Sequence, residues 1–146
     1  MGADLDTSAL AKWYIAEPES ERLEAWRSEV ADAVICRLTM VEMRCLLARR
    51  WGSGSLTPAL ESRAYGRFME QAAGGQLRPL AMTDSLLGDA SSLIECLPGV
   101  PLRILDALHL AAARLAAATT VATADIVMHE AATALGLKVE FFGAVA

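Results

Sequence analysis

Five short strand-like runs alternate with longer segments of helical period, and this alternation most restricts the fold. The runs are GADLD (Gly2–Asp6), DAVICRL (Asp32–Leu38), QLRPLAM (Gln76–Met82), TTVAT (Thr119–Thr123) and LKVEFFG (Leu137–Gly143). Between them lie TSALAKWYI, EPESERLEAWRSEVA, TMVEMRCLLARRW, PALESRAYGRFMEQAA, DSLLGDASSLIECL, PLRILDALHLAAARLAA and DIVMHEAATALG. Strands separated by helices predict a mostly parallel α/β sheet of about five strands, covered on both faces. Pro79 marks its strand as an edge or an irregular position, because proline cannot donate to a ladder. No repeat or low-complexity linker divides the 146 residues, so one domain over 1–146 is expected.

That architecture gives four acids a common address. Sites in open α/β sheets form outside the carboxyl ends of the strands. Asp6 ends the first run and Asp125 follows TTVAT, so both reach the same rim. Glu42 stands one turn into the helix after DAVICRL, and Asp106 stands near the start of LRILDALHLAAARL. Each has a local structural role available. Asp6 and Asp125 fit N-caps, and Thr39-Met-Val-Glu42 fits a capping box. Asp106 lies past the expected cap. The spacing predicts a buried face of Leu105, Leu108, Ala112 and Leu115, with Asp106 beside His109, Leu110 and Ala113. A carboxylate in such company needs a cation or hydrogen-bond donors.

Bulk properties exclude several classes. The net charge of -5 argues against a general electrostatic nucleic-acid binder, though not against an enzyme that holds a phosphodiester through a metal ion. With 54% hydrophobic and 21% charged residues, the chain is no disordered segment. The apolar stretch Leu108–Ala124 is broken by Arg114 and reads as helix then strand, so no membrane span is expected. No basic-then-apolar leader is legible, and Cys36, Cys45 and Cys96 read as reduced core residues; the expected setting is cytoplasmic. His109 and His129 lack zinc-site spacing and read as partly buried or surface side chains. No nucleophile elbow, Walker loop or dinucleotide fingerprint occurs.

The ordered stretches LDTSAL, LTMVEMRCLLARR, LRILDALHLAAA, and VATAD followed by AATALGLKV resemble the signature of PIN-domain ribonucleases, in particular VapC toxins of type II toxin–antitoxin pairs. The resemblance implies a PIN-like three-layer α/β fold. It places the family's catalytic acids on Asp6, Glu42, Asp106 and Asp125, with the hydroxyls of Ser8 and Thr123 in support. It also implies an RNA substrate such as transfer or ribosomal RNA, a small cognate antitoxin that obstructs the site, and a homodimer. The chain departs from the family in its polar first strand (Gly2, Asp4) and in the apolar Ile126, Val127 and Met128 after the last acid.

Carboxylate oxygens suit Mg²⁺ or Mn²⁺. Asp6, Asp106 and Asp125 are the expected ligands. Glu42 is expected to orient or deprotonate the attacking water, or to hold a second ion. Arg37, Arg44, Arg49 and Arg103 are near enough in sequence to meet RNA, and each equally fits a solvated or salt-bridged position. Two other readings are a PIN-like binding module of little activity and, from Asp4-Leu5-Asp6, a phosphatase with an aspartate nucleophile.

Overall fold

The computed structural model describes residues 2–144. Five strands, β1 (Gly2–Leu5), β2 (Asp32–Cys36), β3 (Arg78–Leu80), β4 (Thr120–Thr123) and β5 (Lys138–Phe141), form one sheet in the order β3-β2-β1-β4-β5. Every pairing is parallel. Seven helices complete the described residues: α1 (Thr7–Tyr14), α2 (Ser20–Arg27), α3 (Thr39–Gly52), α4 (Pro58–Ala73), α5 (Asp84–Cys96), α6 (Ile104–Leu115) and α7 (Ile126–Ala134). The all-parallel sheet matches the expectation, and Pro79 lies on the edge strand β3, paired only with β2. Two helices are shorter than their sequence periods. The second begins at Ser20, past Pro18, and α6 begins at Ile104, three residues beyond Pro101.

Alternation along the strands divides the core into two. Ala3 and Leu5 of β1, with Ala33 and Ile35 of β2, face a cluster built on Leu10, Leu23, Leu47 and Phe68 from α1 to α4. Val34, Cys36 and Val121 face the opposite cluster, built on α5, α6 and α7. The result is three layers, helices–sheet–helices. The strand order changes direction at β1, so the crevice between the carboxyl ends of β1 and β4 is the switch point at which such sheets bind ligands.

The packing of α6 corrects two expectations. Leu108 and Ala112 are buried, but Leu105 and Leu115 are 45% and 56% exposed. The face that meets the sheet is the one carrying Asp106, His109, Leu110 and Ala113. Small side chains let α6 lie close to the sheet, and the larger leucines flank the contact. Among the cysteines only Cys36 is buried; Cys45 and Cys96 sit on outward faces of α3 and α5.

The ends of α6 and α7 share one geometry with different residues. After α7, Gly136 at φ 78° lets Leu137 N–H bond Ala132 O and its own N–H bond Thr133 O. After α6, Ala117 does the same at φ 53°, with Ala118 N–H on Ala113 O. Alanine in the left-handed region strains its Cβ against the backbone, and glycine does not. Ala117→Gly should therefore stabilise the protein by about 1 kcal/mol, read as a higher urea midpoint at unchanged slope. A lower midpoint would show that the left-handed turn carries no such strain.

Candidate active site

Asp6 closes β1 and caps α1. Its Oδ1 accepts from Ala9 N–H at 3.0 Å and from Ser8 Oγ at 2.6 Å, and its Oδ2 accepts from Thr123 Oγ1 at 2.6 Å. The cap expected from sequence is real, and it does not exhaust the side chain's role. Ser8 Oγ also accepts from Ala124 N–H at 2.9 Å, and Thr123 Oγ1 accepts from Asp125 N–H at 3.0 Å. The two hydroxyls thus clamp Asp6 to the end of β4. Burial pushes the Asp6 carboxyl above its ordinary range; the His109 charge and these hydrogen bonds oppose that rise.

Asp125 caps α7, accepting from Val127 N–H at 2.8 Å and leaving Oδ2 for Arg103 Nη2 at 2.6 Å. Asp106 corrects the expectation that it lies beyond any cap. The helix starts at Ile104, so Asp106 is its third residue, and its Oδ2 accepts from Arg103 N–H at 3.1 Å. The same carboxylate takes the Arg103 side chain, Nε to Oδ2 at 3.1 Å. The cation that its burial demanded is therefore Arg103, on one side at least.

Glu42 does not close a capping box. Thr39 carries no cap bond, and its hydroxyl has no partner. Glu42 Oε1 instead accepts from Thr7 Oγ1 at 2.9 Å and meets His109 Nε2 at 2.5 Å. Burial raises the Glu42 carboxyl, but the hydrogen bond and charge of His109 outweigh this and hold it below the usual range. Burial lowers His109; the bond and charge of Glu42, then the charges of Asp4 and Asp6, overcome it and bring the imidazole up to about 9. His109 is thus a buried imidazolium at neutral pH, with Nε2–H donating to Glu42.

His109 is the side chain that reading the sequence missed. Its position three residues after Asp106, on the same face, was the available signal. Asp4 is the second. It is wholly enclosed on β1, both oxygens lack partners, and burial pushes its carboxyl to about 7, against the lowering charge of His109. An enclosed Asp4 is no nucleophile, which removes the phosphatase reading. It is also a cost to the fold. A carboxyl whose folded pKa exceeds its unfolded one loses stability as pH climbs from about 4 to about 7. Asp4→Val, in the presence of EDTA, should therefore stabilise the chain by about 2 kcal/mol at pH 8 and by less at pH 5. A gain independent of pH would show that this carboxyl keeps its ordinary pKa in the fold.

Asp6, Glu42, Asp106 and Asp125 line a single pocket of about 210 Å³ with Thr7, Ser8, Arg103 and His109. All four sequence-predicted acids are thus brought together, and Ser8 and Thr123 bind one of them. Of the four arginines, Arg103 enters the pocket. Arg44 pairs with Glu61 and lies over Tyr65, and Arg49 lines an adjacent groove with Val41 and Leu105. An all-oxygen carboxylate set fits a hard divalent ion. Among the described residues no three acidic, histidine or cysteine side chains stand close enough to hold an ion as placed. Arg103 occupies Asp106 and Asp125, and the two hydroxyls occupy Asp6. No described helix is long and apolar enough to cross a membrane.

Comparison with known proteins places the chain in a known family. The profile of the PIN domain matches residues 5–134. Ribonuclease VapC47 of Mycobacterium tuberculosis (strain CDC 1551 / Oshkosh) is 35% identical over 113 residues, covering 75% of this chain and 72% of that protein. The fold superposes on Mycobacterium tuberculosis VapC20, a sarcin–ricin loop cleaving toxin, with a TM-score of 0.70 at 18% identity, covering 88% of this chain and 94% of that one. It superposes on VapBC2 from Rickettsia felis, solved with a DNA fragment from their promoter, with a TM-score of 0.65 at 15% identity, covering 97% and 99%.

Proposed function

The chain belongs to the PIN-domain family, among its VapC members, and from that membership we propose that it is a metal-dependent ribonuclease acting as the toxin of a toxin–antitoxin pair. The observation that carries this reading is the convergence of four carboxylates, from four separate segments, on one pocket at the switch point of the sheet.

Asp6, Asp106 and Asp125 are the proposed ligands of Mg²⁺ or Mn²⁺. When bound there, such an ion would lower the pKa of a water and neutralise phosphate oxygens. The protein's own groups do the positioning. Ser8 and Thr123 fix both oxygens of Asp6, so its orientation is set before substrate arrives. Glu42, kept ionised by His109, is an acceptor that orients the attacking water. Its depressed pKa disfavours taking a proton at neutral pH, since an effective base titrates near the working pH. The substrate we propose is structured RNA of the transfer or ribosomal class. The proposed partners are a cognate antitoxin that obstructs the pocket and a second copy of the chain, in a cytoplasmic setting.

The test is RNA cleavage by purified protein with Mg²⁺ or Mn²⁺, then with EDTA, with Asp106→Asn as the matched control. Cleavage by the wild type alone, lost on chelation and restored by added metal, is expected. Cleavage that survives EDTA would sink the metal assignment. Clean binding to an antitoxin without cleavage under any metal would favour a binding module instead.

A further inference from the structure

We propose that Arg103 is a resident competitor of the divalent ion: it holds Asp106 and Asp125 until metal takes them, and is then released at the rim to bind the RNA phosphate. This rests on the ribonuclease reading above.

The pocket contains two cations of unlike character. His109 is 3% exposed, fixed in the buried face of α6, and serves Glu42. Arg103 precedes α6, and its side chain is 67% exposed while its head bridges two carboxylates from different helices. The guanidinium donates through Nε to Asp106 Oδ2 at 3.1 Å, and through Nη2 to Asp106 Oδ1 at 3.4 Å and to Asp125 Oδ2 at 2.6 Å. It therefore spans the two proposed ligands that no hydroxyl clamps. Asp6, the third, is held by neutral donors alone, which leave its charge intact for an ion.

Charge sets the contest between arginine and metal. Asp106 and Asp125 together carry about two negative charges, and one guanidinium neutralises half of that. A divalent ion on the same oxygens brings a second positive charge within a few ångströms of Arg103. Two cations on one pair of carboxylates repel each other, and only Arg103 sits on a flexible, solvated arm that is free to leave. Its backbone stays anchored, because Arg103 N–H is bonded to Asp106. The released fork is thus tethered beside the ion. A guanidinium matches two phosphate oxygens in a way an ammonium does not.

The experiment measures Mn²⁺ affinity by electron paramagnetic resonance, and RNA cleavage at saturating Mn²⁺, for wild type, Arg103→Ala and Arg103→Lys. Arg103→Ala should bind Mn²⁺ about 3- to 10-fold more tightly, the size of a lost exposed ion pair. It should nonetheless cleave at least about 10-fold more slowly, with the loss mainly in KM. Arg103→Lys should restore the wild-type Mn²⁺ affinity and only part of the cleavage. A merely structural arginine would lower both quantities together, with a lower melting temperature. Wild type and Arg103→Ala binding Mn²⁺ equally well would overturn the competition, and equal cleavage at saturating Mn²⁺ would overturn the delivery. If neither protein binds Mn²⁺, the competition and the metal-dependent reading fall together. If both bind and wild type cuts, the reading stands whatever Arg103 does.

Discussion

Asp106→Asn should cut RNA about 10³-fold more slowly than the wild type, yet unfold at nearly the same denaturant concentration. The expected loss comes from removing one negative charge from the proposed ligand set of a divalent ion; electrostatic groups of this kind are worth about 10²–10³ in rate. The fold is spared because asparagine keeps an oxygen where Asp106 Oδ2 accepts from Arg103 N–H. What stability is lost is the ion pair with a 67% exposed arginine, worth less than about 1 kcal/mol. Initial rates on one RNA, paired with urea unfolding, separate the two quantities. A folded Asp106→Asn that cuts at the wild-type rate would remove Asp106 from the catalytic set.

His109→Ala carries the largest effect on stability. It removes the buried cation that Glu42 meets at 2.5 Å and that Asp4 and Asp6 also feel. Breaking a buried pair from one side costs about 3–5 kcal/mol, because the surviving charge stays in place without its partner. Glu42 keeps some contact with water, so a loss of about 3 kcal/mol is expected. The sign with pH is set by the raised pKa. An imidazole at about 9 in the fold, against 6.5 unfolded, contributes fully below pH 6.5 and loses that contribution as pH rises through 9. The gap between wild type and His109→Ala should therefore be wide at pH 6 and narrow by pH 9, measured by urea unfolding in EDTA. His109→Gln, which keeps an N–H donor without the charge, should recover part of the loss, and its benefit should not depend on pH in this range. Equal stability of wild type and His109→Ala at pH 6 would show that no imidazolium is held there.

The elements were legible because each obeys its own period. Strand-like runs with helical segments between them lead to one parallel sheet, and the acids at strand ends lead to one rim. What was not legible depended on partners distant in sequence. Glu42 had a local partner in Thr39, and reading by spacing assigns it there; the fold gives it to His109, 67 residues away. The helix α6 is apolar around most of its circumference, so its period defines faces without saying which one meets the sheet. The close approach of α6 buries the alanine-rich face with Asp106 and His109 and leaves Leu105 and Leu115 outside. Asp4 read as a weakness of the first strand, whereas the strand is central and the acid is enclosed. Asp106 read as past the cap because Pro101 invited an early helix start; the helix begins three residues later.

The pairing of β1 with β4 also bears on how the chain is made. Ala3, Asp4 and Leu5 lie beside Thr120, Val121 and Ala122, and Thr123 supplies one of the bonds that orient Asp6. Domains emerge from the ribosome N-terminal end first. Until residues 120–125 have been synthesised, β1 has a bare edge, and Asp6 lacks Thr123 beside it and Asp125 opposite. The four acids of the pocket can meet only once Thr123 and Asp125 have joined the strand that carries Asp6.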